Sequence, residues 1–376
     1  MTSKHFFFAG GGTGGHIYPA LAVAQKIRSL APQAKIHFLC SERPIDTRIL
    51  SETAFDFTCL PAQGFTLHPA RVLRFIKTFW ASYQQAKALV SENLPAMVIG
   101  AGGFVSAPVC YAAHRLGSPL ALINVDSVPG KANVLAKRWA HEVFTHFHDT
   151  TKAFGRYKAE VHVVGCPLRP AFDEPRPDRA KEQLTLDPDK KILLITGASS
   201  GCKSINEALA QLLPKLAAYR DTWQIVHLTG THNFETVNQT LKIKNQKYTL
   251  LPYYDNMADL LACADLVIGR CGAVSVAEYA VSGVPSICIP YPHHRDRHQY
   301  RNAGKLVEAG AAVMIDDLPD LTDRSEWLWE ELEPLLKDDN LRQNMARACA
   351  DIAKPDAARE IASYLINNGQ WKTVNC

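Results

Sequence analysis

No two cysteines in the chain form a C-x-x-C pair. The ten thiols, at 40, 59, 110, 166, 202, 263, 271, 288, 349 and 376, are scattered and mostly sit inside apolar runs. That pattern predicts reduced, buried thiols in a cytosolic protein rather than a disulfide framework. No stretch approaches the ~18 apolar residues a membrane span needs. The early apolar run Phe6-Phe7-Phe8-Ala9 is too short for a signal-peptide core and runs straight into glycines. Any meeting with a membrane is therefore expected from the cytosolic side. Excess charge is also lacking. The 41 basic and 37 acidic residues leave +4, too little to argue for nucleic acid, though compatible with a local basic patch facing anionic lipid or phosphate.

What the chain does have is Gly10-Gly11-Gly12-Thr13-Gly14-Gly15-His16, between that apolar run and a helix-like run from Ile17 to Ile27. Strand, glycine turn and helix together present bare backbone N–H groups and a positive helix end to an anion. A phosphate or diphosphate is expected nearby. Gly10, Gly12 and Gly15 also satisfy G-x-G-x-x-G, a spacing shared too widely to name a ligand. A dinucleotide would want an acid ending the second strand, and Glu42 stands there, in what also reads as a plain loop. A tight turn with no ligand is the bland alternative.

Apolar strand-like runs alternate with helix-patterned segments throughout. The first series is Phe6–Ala9, Ile36–Cys40, Met97–Gly100, Leu120–Val125, Val143–Phe147 and Val161–Val164. The second is Ile192–Thr196, Gln224–Thr229, Tyr248–Leu251, Leu266–Gly269, Ser286–Ile289 and Ala312–Ile315. Continuous apolar strands separated by helices predict doubly wound α/β units around parallel sheets. A break rich in proline and acid, from Pro167 to Pro188, separates the series. Beyond it a strand again meets a small-residue turn, Gly197-Ala198-Ser199-Ser200-Gly201, and a helix from Ile205. The expectation is two Rossmann-like domains, residues 1–165 and 166–350, with a cleft between them. Residues 351–376 form a last helix. Ligands in such sheets bind beyond the carboxyl ends of the strands.

Three further stretches could carry chemistry. In Gly269-Arg270-Cys271-Gly272-Ala273 to Glu278, a strand meets a glycine turn and a helix. Glu278 could accept both hydroxyls of a ribose, or merely complement the helix dipole. Pro290 to Gln299 follows a buried strand. His294 and His298, four apart, suggest a metal pair, but the prolines and charges argue against a regular helix and no third ligand is evident. A sugar-binding loop using His298 and Gln299 fits better, and a solvated polar loop is the plain alternative. In His68 to Leu89, Val72, Phe75, Ile76, Phe79 and Tyr83 recur at helical spacing beside Arg71, Arg74 and Lys77. A core-facing amphipathic helix explains this. A helix lying in a lipid headgroup layer, with Trp80 exposed, is the competing reading.

Together these residues resemble the MurG family of bacterial N-acetylglucosamine transferases over about residues 5–315, and in the right order. The resemblance runs through Gly11–His16 with Pro19-Ala20, then Gly102-Gly103-Phe104-Val105-Ser106, Val128-Pro129-Gly130 with Asn133, and Gly165 to Arg169. It continues through Gly197–Gly201 with Asn206, Asp255 to Ala258, Gly272 to Glu278, and Asp296 to Gln299 with Asn302-Ala303. The family is similar in fold to GT-B glycosyltransferases, in which the last helix returns to the first domain. The resemblance implies an inverting transfer of N-acetylglucosamine from UDP-N-acetylglucosamine to the C4 hydroxyl of an undecaprenyl-linked muramyl-pentapeptide. It needs no cofactor and no metal, and takes place at an anionic membrane surface on the cytoplasmic face. It implies Thr13, Gly14 and Gly15 near the donor sugar and diphosphate, Arg169 and Ser199 on the diphosphate, and the Tyr254 backbone at uracil. It further implies Glu278 at the ribose, and Ala273, His298 and Gln299 at the sugar hydroxyls. Gly102, Gly103, Phe104 and Asn133 fall on the acceptor side, and Val72, Phe75, Ile76, Phe79 and Trp80 on a membrane face.

The chain departs from the family at several points. Asn124-Val125-Asp126 replaces a Glu-Gln-Asn run, so a carboxylate stands where an amide is usual. Phe104 replaces a tyrosine, and Ala198, Ser200 and Cys202 replace Gly, Gln and Ala. His16, titrating near neutrality, is the candidate base, with Asp126 sharing or replacing that function and Asp126 also facing the donor. Other readings are a UDP-sugar transferase with a different lipid acceptor, a silent lipid-precursor sensor, and an NAD(P)-dependent oxidoreductase. The last leaves the second glycine loop and 269–299 without a role.

Overall fold

The computed structural model describes residues 4–64, 69–155, 159–198, 201–241 and 248–367, the side chains of 69–71 excepted. The chain forms two compact units, one of Met1–Arg169 with Pro355–Cys376, the other of Pro170–Lys354. In chain order the first runs β1 (His5–Gly10), α1 (Gly14–Leu30), β2 (Lys35–Ser41), α2 (Pro44–Ser51), β3 (Asp56–Leu60), α3 (Pro69–Ser91) and β4 (Ala96–Gly102). It continues with α4 (Ser106–Arg115), β5 (Leu120–Asn124), α5 (Lys131–Ala136), β6 (Glu142–Thr145), α6 (Thr151–Phe154) and β7 (Glu160–Val163). The second unit runs α7 (Pro177–Gln183), β8 (Lys191–Thr196), α8 (Lys203–Leu216), β9 (Trp223–Leu228), α9 (Phe234–Leu241), β10 (Tyr248–Leu251), α10 (Met257–Cys263) and β11 (Leu266–Gly269). There follow α11 (Ala273–Val281), β12 (Ser286–Cys288), α12 (His298–Glu308), β13 (Ala312–Met314), α13 (Leu321–Lys337) and α14 (Asp339–Ile352); α15 (Ala357–Asn367) then rejoins the first unit.

Both sheets are parallel, ordered β3-β2-β1-β4-β5-β6-β7 and β10-β9-β8-β11-β12-β13. Strands covered on both faces must be apolar along their length, and β1, β4, β5 and β8 are buried almost throughout. Each fully buried Phe or Leu in them contributes roughly 1.5–3 kcal/mol. Sequence pattern does not announce β3. Its residues Asp-Phe-Thr-Cys-Leu alternate, because it is an edge strand paired with β2 alone and half exposed.

In each sheet the strand order reverses direction once, between β1 and β4 and between β8 and β11. Chain connections leave a crevice at such a switch point, beyond the carboxyl ends of the strands. The loops there are 11–13, 103–105, 270–272 and, among the described residues, 197–198 with 201–202, so the glycine-bearing turns noted in the sequence fall on the two switch points.

The last helix, α15, packs on α1 within the first unit. Lys4 donates to the Ile366 carbonyl, 2.5 Å away. The Tyr364 ring lies 4.6 Å from that of His162. Burial and hydrogen bonding to Glu142 push the Tyr364 phenol up to about 12. His162 Nε2 also meets Glu142 Oε2 at 2.8 Å. Glu142, Glu160 and His162 stand within metal-ligand reach of one another, and bonds from Tyr364 to both carboxylates fasten α15 to the β6–β7 edge.

Candidate active site

In the first unit the site grows from the start of α1. Thr13, its N-cap, is extended and does not cap the helix, and the first turn holds no acid. The first turn therefore offers its amides and its positive end with no acid of its own. By contrast, α13 and α14 are capped by the carboxylates of Asp320 and Asp338. The Thr13 hydroxyl lies instead 3.2 Å from His16 Nδ1. Pro19, inside α1, has no N–H to offer, which releases the Gly15 carbonyl from the helix ladder.

The second glycine loop lies directly against the first. Gly102 and Gly103 both have left-handed φ, +99° and +77°. A Cβ on Gly102 would come within 2.8 Å of the His16 ring, and one on Gly103 would overlap the Gly11 carbonyl. Ser106 ties the end of β1 to the second loop: its hydroxyl lies 2.6 Å from Ala9 O and 2.7 Å from Gly102 O, either of which can take its one proton, and accepts from Gly102 N at 3.0 Å. Phe104 is half buried against the core of this unit, beneath the Arg43 guanidinium at 5.1 Å.

Asp126 follows β5 and is half buried; its carbonyl accepts from Asn124 Nδ2 at 2.8 Å. Asn133 is buried and donates to Ile123 O and Asn124 Oδ1, at 3.1 and 3.2 Å. Its amide nitrogen thus braces the end of β5. His146, at the end of β6, is held down to about 4 by burial against a hydrogen bond to the Val125 backbone, and so is neutral near pH 7. Arg169 stacks on the Tyr18 ring of α1 at 5.1 Å.

Helix α3 packs on α4 through Tyr83, which joins the buried core. Its outer residues are Leu73, Ile76 and Trp80, exposed by 74, 45 and 48%, with Arg74 and Lys77 exposed beside them. Val72, Phe75 and Phe79 are half buried, so the outward apolar edge differs in part from the expected five residues: Leu73 joins Ile76 and Trp80. The Trp80 indole stands edge-on to Tyr83 at 5.3 Å. Among the described residues no helix is long and apolar enough to cross a membrane.

In the second unit α8 and α11 also begin without a side-chain cap or a first-turn acid. Ser199 lies outside the described residues. Beside it, Ala198 adopts φ +60°, a conformation glycine accepts freely and alanine does not. Glu278 is half buried in the second turn of α11. The dipole effect fades within the first turn, which weakens the dipole explanation for this acid. Ala273 is the first residue of α11 and is buried. Tyr254, in the loop after β10, donates to Gln183 Oε1 at 2.8 Å; burial and the nearby Asp259 raise its phenol.

The 290–297 segment is a loop, and α12 begins at His298. His294 and His298 therefore do not share a helix face, yet their rings stack at 4.3 Å. His298 Nδ1 meets Asp296 Oδ1 at 2.7 Å. Burial works to raise the Asp296 carboxyl, but the bonds from the His298 ring and amide overcome it and hold the group low. Gln299 Oε1 accepts from Tyr291 N at 2.9 Å and Cys271 N at 3.4 Å. Its oxygen is thus committed to joining two loops, and its NH2 is the end that can serve a sugar hydroxyl.

Sequence reasoning missed two groups. Arg270 is buried and donates to the Ile289 and Pro290 carbonyls and to Asp317 Oδ2, at 3.0, 3.1 and 2.6 Å, tying the 270–272 turn to the loop after β12. The acid that reaches the first glycine loop is Asp46, whose carboxylate takes the Gly12 amide; Glu42 is exposed. An acid spent on the loop's own backbone does not play the ribose role that a dinucleotide reading requires.

Comparison with known proteins follows this division. Residues 6–145 match the glycosyltransferase family 28 N-terminal domain, and residues 192–361 the family 28 C-terminal domain. A Desulforamulus reducens protein named UDP-N-acetylglucosamine–N-acetylmuramyl-(pentapeptide) pyrophosphoryl-undecaprenol N-acetylglucosamine transferase is 35% identical, over 94% of this chain and 95% of that one. An Oenococcus oeni protein of the same name is 33% identical over 95% of each. The crystal structure of Acinetobacter baumannii MurG matches with a TM-score of 0.72 at 26% identity, covering 96% of this chain and 99% of that one.

Proposed function

Because the chain belongs to glycosyltransferase family 28, among the UDP-N-acetylglucosamine–N-acetylmuramyl-(pentapeptide) pyrophosphoryl-undecaprenol N-acetylglucosamine transferases, we propose that it makes the β-linked disaccharide of the peptidoglycan lipid precursor. N-acetylglucosamine passes from UDP-N-acetylglucosamine to the C4 hydroxyl of the undecaprenyl-linked muramyl-pentapeptide. The observation that carries this reading is the repeated site design. At the switch point of each sheet a glycine-bearing turn leads into an uncapped helix, and in the second unit Glu278 stands behind one of them.

The second unit holds the donor. Glu278 accepts from the ribose hydroxyls, the Tyr254 backbone meets uracil, and Ala273, His298 and the Gln299 amide contact the sugar. Ser199, the 197–201 backbone and the start of α8 stabilise the departing diphosphate, as preorganised dipoles aimed at developing charge do best. Arg169 adds a fixed positive charge, and Thr13, Gly14 and Gly15 add amide donors. In the first unit the acceptor oxygen attacks the anomeric carbon, and the bond to UDP breaks as the new bond forms on the opposite face. The acceptor proton goes to His16. With Nδ1–H donating to the Thr13 hydroxyl, Nε2 is the base nitrogen, beside Gly102, and Asp126 shares the base function. The enzyme sits peripherally on the cytoplasmic membrane face through the outer edge of α3.

The test is transfer of radiolabel from UDP-N-acetylglucosamine to undecaprenyl-linked muramyl-pentapeptide. Labelled disaccharide lipid supports the reading. Stabilisation by NAD but not by UDP, or transfer only to a different lipid, ends it. Asp126→Asn should lower turnover and move its pH profile; unchanged kinetics would leave His16 as sole base.

A further inference from the structure

The first glycine loop is gripped by two residues at the start of α2, its N-cap Arg43 and Asp46. Asp46 is fully buried. Its carboxylate accepts the Gly12 amide, with Oδ1 and Oδ2 at 3.0 and 2.8 Å, and the Ser41 amide at 3.2 Å. The Ser41 hydroxyl donates to it as well. Among the described residues no cation pairs with it, so directional donors alone hold this charge. Asp46 is the third residue of α2, the position from which an acid usually reaches back to its own helix's first amides. Here it is spent on a loop 34 residues away. From the other side Arg43 Nη1 donates 2.9 Å to the Gly12 carbonyl, while its guanidinium covers Phe104.

Gly12 has φ +91°. A glycine in that region has little intrinsic reason to stay there. Its N–H belongs to one flanking peptide and its C=O to the other, so holding both fixes both its torsions. The next residue is Thr13, whose hydroxyl meets His16 Nδ1. Under the catalytic reading given above, on which this inference rests, we propose that Arg43 and Asp46 are positioning residues of the transfer site. They clamp the two peptides around Gly12, and through Thr13 they set the orientation of the His16 ring. Arg43 carries the same constraint to Phe104 on the acceptor-side loop. Displacement of a reacting group by about 1 Å costs on the order of 100-fold in rate, so releasing one hand of the clamp is expressed in turnover.

The experiment uses the full chain with Arg43→Met and Asp46→Asn. Arg43 is exposed, so its variant keeps the fold should the buried Asp46 variant lose it. Two readouts are taken: kcat and KM for UDP-N-acetylglucosamine across pH, and the His16 imidazole titration by NMR, assigned with His16→Gln. The expected result is a kcat lowered about tenfold or more with donor KM within about twofold, and a shifted His16 titration in Arg43→Met. Arg43→Lys, which retains a donor, recovers part of the loss. Wild-type kcat, pH profile and His16 titration in Arg43→Met would overturn the proposal. A wild-type protein that transfers no sugar would defeat the functional reading instead, while the titration would still report on the clamp.

Discussion

The His16 imidazole rests on the α-carbon of Gly102, so closely that a methyl group there would stand 2.8 Å from ring Cδ2 and 3.1 Å from Nε2. A residue 86 positions away thus sets the space the candidate base occupies. Gly102→Ala should push the ring aside and add backbone strain at φ +99°. Turnover should fall at least about 100-fold, with UDP binding, measured by calorimetry, close to wild type. Wild-type turnover would show that the ring position does not matter.

Gln299 divides its work between its two ends. Gln299→Glu keeps an oxygen for the Tyr291 and Cys271 amides but removes the NH2. Donor KM should rise about tenfold, with little change in melting temperature. Gln299→Ala removes both, and should also lower stability by about 1 kcal/mol, the worth of a typical hydrogen bond. Equal effects of the two variants on KM and on melting would contradict this division.

His227 is buried between Asn206 Oδ1, 2.9 Å from Nε2, and the Tyr248 hydroxyl, 2.7 Å from Nδ1. Burial pushes it down to about 3. In the unfolded chain it titrates near 6.5, so between about pH 6.5 and 3 the unfolded state binds the extra proton. Stability therefore falls as pH drops through that window, by up to ~1.4 kcal/mol per pH unit for this group. His146 adds to the loss between about 6.5 and 4. Urea unfolding across pH should show a slope shallower by about one proton in His227→Gln.

Ala198 holds φ +60° with its amide bonded to Thr196 Oγ1 at 3.1 Å and its carbonyl accepting from Gly201 at 3.1 Å. Ala198→Gly removes the steric cost of that conformation, about 1 kcal/mol, against a smaller entropic loss. The melting temperature should hold or rise slightly, and a clear drop would mean the methyl group packs usefully.

The outer edge of α3 should bind anionic lipid. Ile76→Ser with Trp80→Ala should reduce co-sedimentation with phosphatidylglycerol vesicles several-fold, and Lys77→Glu should weaken binding further while making the remainder less salt-sensitive. Melting should not change, because these side chains are exposed. Undiminished vesicle binding would remove α3 as the membrane face.

Local pattern made much of this protein legible. Apolar runs of strand length separated by helical periodicity, and glycines at the strand ends, depend on near neighbours only. They marked twelve of the strand positions and three of the four turns and made Glu278 and Gln299 candidates, while the turn at 103–105 came only with the family resemblance. Edge strand β3 escaped because a half-exposed strand has no continuous apolar run. Strand order and close approach belong to the tertiary structure. Parallel pairing brought β1 beside both β2 and β4. That placed Asp46 under Gly12, His16 on Gly102, and the Ser106 hydroxyl on a carbonyl 97 residues away. Side-chain contacts likewise put the Asn133 amide on the end of β5 and, in the second unit, the Gln299 oxygen between two loops. Spacing along a chain shows which residues can share a face; only the register between distant strands decides which of their atoms meet.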